Sequence, residues 1–389
     1  MFSTRTPRVL SPNSLTHLLG TQECSSLLDL TRTNPTTVGL ALPGKVIQAA
    51  LSQEQVLVYS PEAFGSLRAR EEVARYYREA HQLTVDPDHI VLTASTSEAY
   101  TFLFKLLCNP GEEVLSPIPS YPLFEHLMGL EGVVHTTYPL GWDGNWYIDM
   151  AALASRRSGS SRAVVVVAPN NPTGTYLKRG EWDDLQRFCA TNDLALIADE
   201  VFVDFPLRPD PHRVSGLWRS SSCLSFSLNG LSKILGLPQL KLGWIVVGGP
   251  PELRDEALKR LEIIADSFLS VSAPVQVALG PLMAHRGEIQ GTIRRRLDTN
   301  LRLLRQSVPE NSAISVLDVE GGWSALLRIP RVLTDEQVCL LLLEKEGIVV
   351  HPGYFFDLPE GHLVLSLLTP ETDFARGVTR LMCFLPGLW

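Results

Sequence analysis

Between about residue 89 and residue 248 the chain alternates short, nearly unbroken apolar runs with longer amphipathic stretches. HIVLT precedes SEAYTFLFKLLC, and EEVLS precedes PLFEHLMGL. RAVVVVA precedes a polar-amphipathic stretch from Lys178 to Thr191, and LALIA, CLSFS and GWIVVGG follow. Runs of Val, Ile and Leu without polar alternation are what strands buried on both faces look like. Strands that alternate with helices imply a mostly parallel sheet with helices on both sides. The predicted class is therefore α/β. After Pro250 the texture changes. Helical periodicity dominates from Glu252 to about Val308, and from Ala313 onward SALLRI, IVV and LVLSLL mix with the helical patterns TDEQVCLLLLEKEG and ETDFARGVTRLMCFL. This reads as a smaller α+β unit. A chain of 389 residues suits such a division. The expected boundaries are a large domain over 51–280 and a small domain built from 1–50 and 281–389.

Composition removes several functions. A formal net charge of −8 argues against nucleic acid or an anionic membrane as the main partner. No apolar run is long enough to span a bilayer. The segment MFSTRTPRVLSPNS lacks an apolar signal core, and its Pro7 and Pro12 discourage a helix, so it is expected to be a mobile arm and not an address. Six cysteines are scattered without a CxxC pair, the pattern of reduced thiols in a cytoplasmic protein. The nine histidines form no HxH or HxxxH cluster, so a metal site is not expected.

Ligands of open α/β sheets bind at the carboxyl ends of the strands, and four segments there are unusual. TASTSEA, Thr93 to Ala99, joins a strand to a helix with small hydroxyl residues. It reads either as a phosphate cradle or as a plain N-cap by Ser95 or Ser97, with Glu98 in the first turn. APNNPTG, Ala168 to Gly174, is a turn more elaborate than a turn requires. IADEVFVDF places Asp199 and Glu200 at the end of a buried strand, where a carboxylate needs a partner. NGLSKILGLPQLKLGW, Asn229 to Trp244, sets Lys233 and Lys241 on one tight segment.

In this order and at these spacings the segments resemble the pyridoxal-phosphate-dependent aminotransferases of class I and II, fold type I. The resemblance extends over nearly the whole chain through DLTRTNPT (29–36), YSPEAFGSLRAREEVARYY (59–77), PGEEVLSPIPSYPLFE (110–125) and EGGWSALLRIP (320–330). It implies a mostly parallel central sheet sandwiched by helices, a smaller α+β domain, and pyridoxal 5'-phosphate as cofactor. Lys233 matches the Schiff-base lysine, which also moves the substrate proton, and Asp199 the carboxylate that keeps the pyridine nitrogen protonated. Asn171 matches the asparagine that bonds the phenolic oxygen and often the substrate carboxylate. Tyr121 matches the aromatic stacked on the ring. Thr96 and Ser97, joined by Ser232, match the phosphate cradle. Tyr59 matches the tyrosine that reaches the neighbouring subunit's phosphate, so the resemblance also implies a homodimer with shared active sites. The implied reaction passes an amino group from a small amino donor to a 2-oxo acid. The alternative is a lyase on the same fold, a β-eliminating carbon–sulfur lyase or a biosynthetic cyclase.

Three positions depart from the family pattern. Lys241 stands where an arginine clamps the phosphate, which keeps the charge but loses the bidentate fork. Phe202 stands where a tyrosine commonly donates to the phenolic oxygen. In HLVLSLL, with Ser366 in register, Val364 occupies the place of the arginine that grips the substrate carboxylate. Either Arg32 in DLTRTNPT serves instead, or the substrate lacks a conventionally bound carboxylate, or the register slips. Phe202, Val364 and Trp323 together hint at an apolar lining.

Overall fold

The chain was analysed as a computed structural model that describes residues 2–7, 10–20 and 27–389. Its strands are β1 (Leu28–Asp29), β2 (Ile90–Thr93), β3 (Glu113–Ile118), β4 (Val134–Trp142), β5 (Trp146–Ile148), β6 (Ser161–Val167), β7 (Ala195–Asp199), β8 (Ser225–Gly230) and β9 (Gly243–Gly248), followed by β10 (Ser315–Val316), β11 (Ser324–Arg328), β12 (Ile348–Val349), β13 (His351–Pro352) and β14 (His362–Ser366). Eight of them form one sheet in the order β2-β9-β8-β7-β6-β3-β4-β5. The pairings from β8 through β7, β6 and β3 to β4 are parallel, whereas β9 and β5 run antiparallel to their neighbours.

The unbroken apolar runs are explained by what lies on each face. Successive side chains of a strand point to opposite sides. In β6, Ala163 and Val165 therefore enter one buried cluster while Val164 and Val166 enter another. The first cluster lies under the helices Thr96–Leu107, Phe124–Glu131 and Pro251–Asp266. The second lies under Met150–Arg156 and Arg179–Thr191. With helices on both faces, a polar side chain on the strand needs a partner of its own, as Ser161 finds in Ser158 N and Arg162 in Glu112.

β10, β11, β14 and β13 form a separate antiparallel sheet of four strands. The IVV run does not join it. β12 pairs in parallel with β1, so residues near the start of the chain are bound to its last third. The long helical stretch after Pro250 is three helices, Pro251–Asp266, Ala273–Met283 and Arg286–Ser307, separated by short breaks. The β4–β5 hairpin, turning at Asp143–Asn145, was absent from the expected elements.

The turn after β6 depends on one backbone position. Gly174 has φ of +72°, and a Cβ there would lie 2.3 Å from Val319 Cγ2 and 2.5 Å from the Gly321 carbonyl oxygen. The turn closes through Gly174 N donating to the Asn170 carbonyl, 2.8 Å. Gly174→Ala is therefore expected to lower unfolding stability by about 1–3 kcal/mol. Denaturant unfolding of the two proteins measures this, and an unchanged midpoint would refute the steric account.

Candidate active site

Because β2, β6, β7 and β8 point the same way, their carboxyl ends meet at one edge of the sheet. A cavity of ≈ 260 Å³ opens there. Eight of the ten sequence-predicted residues line it: Thr96, Ser97 and Tyr121, then Asn171 and Asp199, then Ser232, Lys233 and Lys241.

One end of the cavity holds only donors. The helix Thr96–Leu107 begins there, and Ser95 is its cap, its Oγ accepting from Glu98 N at 3.1 Å. The capping and cradle readings of this segment are therefore compatible. Ser95 serves the helix, and Thr96 and Ser97 are left facing the cavity with the unpaired amides of the first turn. The Glu98 carboxylate is engaged by Ala94 N and Ser270 Oγ, both at 2.6 Å. Across from the helix start, Lys241 takes a left-handed φ of +52° after the turn Pro238–Leu240, and its ammonium makes no ion pair among the described residues. Gly243 passes beneath, where a Cβ would press within 3.1 Å of Thr96 N. Amides, hydroxyls able to donate and one ammonium, with no carboxylate among them, suit a phosphate dianion.

The other end carries the carboxylate. Asp199 closes β7, and its two oxygens are held separately: Oδ1 accepts from Val201 N and Oδ2 from Tyr100 Oη, both at 3.1 Å. Burial pushes its pKa up to about 6, against those hydrogen bonds and the Lys233 charge, which pull it down. The adjacent Glu200 is wholly buried on the far side of the strand, where Gly216 N (2.7 Å) and Leu217 N (3.1 Å) satisfy it. Of the two acids in the DE pair, Asp199 alone faces the cavity.

Lys233 lies between these ends on the short helix Leu231–Ile234 that follows β8. Burial lowers the pKa of its amine to about 8, with Asp199 opposing the shift. Its Nζ sits 4.9 Å from the centroid of the Trp323 ring and 5.2 Å from that of Phe202, and those two rings meet edge to face at 5.4 Å. The aromatic wall keeps water from the amine on that side. Pro238 and Leu242 complete the lining near it.

The NNPTG turn splits its two asparagines between structure and site. Asn170 is buried, its Nδ2 donating to the Pro119 carbonyl (3.2 Å) and its Oδ1 accepting from Thr173 Oγ1 (2.9 Å), which ties the turn to the loop carrying Tyr121. Asn171 faces the cavity, and its Oδ1 accepts from Ser324 Oγ at 3.2 Å. That bond assigns the amide so that Nδ2 is left to donate. Tyr121 lies at the mouth, about half exposed.

Two predicted residues stand elsewhere. Arg32 is turned away from the cavity: its guanidinium contacts the Thr37 carbonyl and lies 3.7 Å from Asp373, at the start of the helix Glu371–Phe384. Only its backbone approaches the region, its carbonyl accepting from Ser366 Oγ at 2.7 Å. In this structure the Arg32 guanidinium is thus engaged by Thr37 and Asp373 and does not line the cavity. Tyr59 is 81% exposed and lies against a separate depression near Gly65 and Ser270. Val364 is buried with Leu326 and Phe356. The residues that sequence reasoning missed are Tyr100, which holds Asp199, and Ser324, which orients Asn171. No local motif marks either one.

Several known proteins are similar to this chain over most of its length. The sequence model of the family described as aminotransferase class I and II matches residues 26–381. A glutamate-pyruvate aminotransferase of Haemophilus influenzae is 25% identical over 381 residues, covering 94% of this chain and 92% of that protein. An alanine aminotransferase of Mycobacterium tuberculosis is 28% identical over 370 residues, covering 92% and 85%. The crystal structure of a tyrosine aminotransferase from Leishmania infantum shares the fold with a TM-score of 0.85, at 21% identity and with 98% and 99% of the two chains covered. The chain belongs to the class I and II aminotransferases, fold type I enzymes that transfer amino groups with pyridoxal 5'-phosphate.

Proposed function

We propose that Lys233 is the covalent anchor of the cofactor and the carrier of the substrate proton, and that the chain moves an amino group from a small uncharged amino acid to a 2-oxo acid. The observation that carries this reading is a dehydrated amine beside a buried carboxylate, opposite an end made only of donors. Bound there, pyridoxal 5'-phosphate supplies an aldehyde carbon for the amino group and a protonated pyridine ring that delocalises negative charge. Asp199, fixed by Tyr100 and Val201 N, would keep the pyridine nitrogen protonated, and Thr96, Ser97, Ser232 and Lys241 would hold the phosphate. Nζ of Lys233, whose lowered pKa leaves part of the amine unprotonated near neutral pH, would accept and return the substrate proton. Asn171 Nδ2 would be available to hold the cofactor's phenolic oxygen and the donor's carboxylate, as no guanidinium lines the cavity among the described residues. Phe202 and Trp323 face the donor's side chain, which suits alanine, the amino acid for which one relative is named.

The finer assignments are ours as well. The protein is read as a cytoplasmic homodimer, with the exposed Tyr59 reaching the phosphate bound by its partner. The described cysteines are free, as a reducing compartment requires, and among the described residues no helix is long and apolar enough to cross a membrane. The domain division over 51–280, with 1–50 and 281–389 as the small domain, is supported by the β1–β12 pairing between the two outer segments.

Three outcomes are expected. Adding alanine to the holoenzyme should shift the cofactor absorbance, and pyruvate should reverse the shift. Lys233→Ala should abolish both responses. Release of pyruvate and ammonia from a cysteine conjugate with no oxo acid present would point to elimination instead. In the cofactor-free protein, Lys233 is neutral above its depressed pKa. Reductive trapping by an aromatic aldehyde, read by peptide mass, should therefore rise through a midpoint near pH 8. A midpoint at the ordinary lysine value of about 10.5 would remove the burial argument. Tyr59→Phe should weaken cofactor affinity by about tenfold, the loss of one charge-assisted hydrogen bond, while sedimentation still reports a dimer. A monomeric parent protein would contradict the shared site.

A further inference from the structure

The four-stranded sheet borders a second cavity that no step above uses. Three cross-strand rows share one of its faces: Ser324 with Ser366, Leu326 with Val364, and Arg328 with His362. The first row stands at the Lys233 cavity, through Ser324 and Asn171. The middle row is shut, since Leu326 and Val364 pack with Leu317, Phe356 and Leu358. The third row, ~7 Å further along the strands, lines a cavity of ≈ 710 Å³ between this sheet and the β4–β5 hairpin. That volume lies in the range of sites for small organic molecules.

Its lining is selective. Trp142 and Trp146, whose rings lie 5.1 Å apart, form an apolar wall together with Leu140 and Leu317. The Trp146 indole Nε1 is buried without a hydrogen-bond partner among the described residues, a donor whose burial costs free energy unless an acceptor arrives. Arg328 and Arg331 both line the cavity, and neither guanidinium makes an ion pair or side-chain hydrogen bond among the described residues. His362 is occupied, its Nδ1 donating to the Pro359 carbonyl at 2.8 Å. Tyr354 Oη donates to Glu336 at 3.4 Å. Among the described residues Asp357 is the single acid of the lining, which with Arg328 and Arg331 leaves net positive charge there.

We propose that this cavity is a second small-molecule site that takes an aryl-chain carboxylate, its ring against Trp142 and Trp146 and its carboxylate on Arg328 and Arg331. The site is separate from the Lys233 cavity, because the Val364 row stands between them, and it does not depend on which amino donor the enzyme uses. The test is calorimetric titration of the holoenzyme with 3-phenylpropionate and with the neutral 3-phenylpropanamide, repeated on R331Q and on R328Q/R331Q. Both arginines are exposed, and a cofactor spectrum identical to the parent's reports that the variants are folded. The acid is expected to bind without shifting the cofactor absorbance. R331Q should weaken it by about tenfold and the double variant further, as each charge-assisted bond is lost, and the amide should bind at least that much more weakly than the acid. Equal affinity in parent and double variant, equal affinity for acid and amide, a shifted cofactor absorbance on binding, or no binding at millimolar acid would each overturn the proposal.

Discussion

Everything at the active site turns on holding two opposite charges away from water at the ends of adjacent strands. Asp199 ends β7, and Lys233 follows β8 by one short turn. Burial pushes the two pKa values toward each other, the acid up to about 6 and the amine down to about 8. Each group remains ionised in part because the other is near, and because Tyr100 and Val201 N hold the carboxylate. The rigid sheet matters for this reason. A parallel arrangement covered by helices on both faces brings the carboxyl ends together and leaves little freedom to relieve the cost by opening to solvent.

The large sheet was legible because its signal is local. Four consecutive valines in β6 admit no exposed face, and the helices on either side supply the reason. The site was legible because NNPTG, DE and SK sit directly at strand ends, and strand ends converge whatever the rest of the chain does. What could not be read depends on side chains meeting across long separations. Tyr100 and Asp199 are 99 residues apart. Arg32 sat in the expected segment, yet nothing within DLTRTNPT shows that Asp373 would draw its guanidinium aside. The β4–β5 hairpin escaped because much of β4 is partly exposed and carries no unbroken apolar run.

The departures from the family pattern differ in what they change. Lys241 keeps a positive charge at its position. By contrast, the arginine expected on β14 has become Val364, and the row around it is filled with Leu326, Phe356 and Leu358. Apolar packing there costs less than an unpaired guanidinium would. The cationic side chains of that sheet face, Arg328 and nearby Arg331, stand beyond the plug instead of beside Lys233.

The ends of the large sheet have a consequence for the protein in solution. Its border strands are β2, four residues long, and β5, only three. Each offers a few open backbone groups, too short a row to template pairing with another polypeptide. The most apolar strands, β6, β7 and β9, lie inside the sheet with a neighbour on each side. A sequence rich in valine and isoleucine, which as bare segments would be prone to cross-β aggregation, is thereby kept harmless by strand order alone.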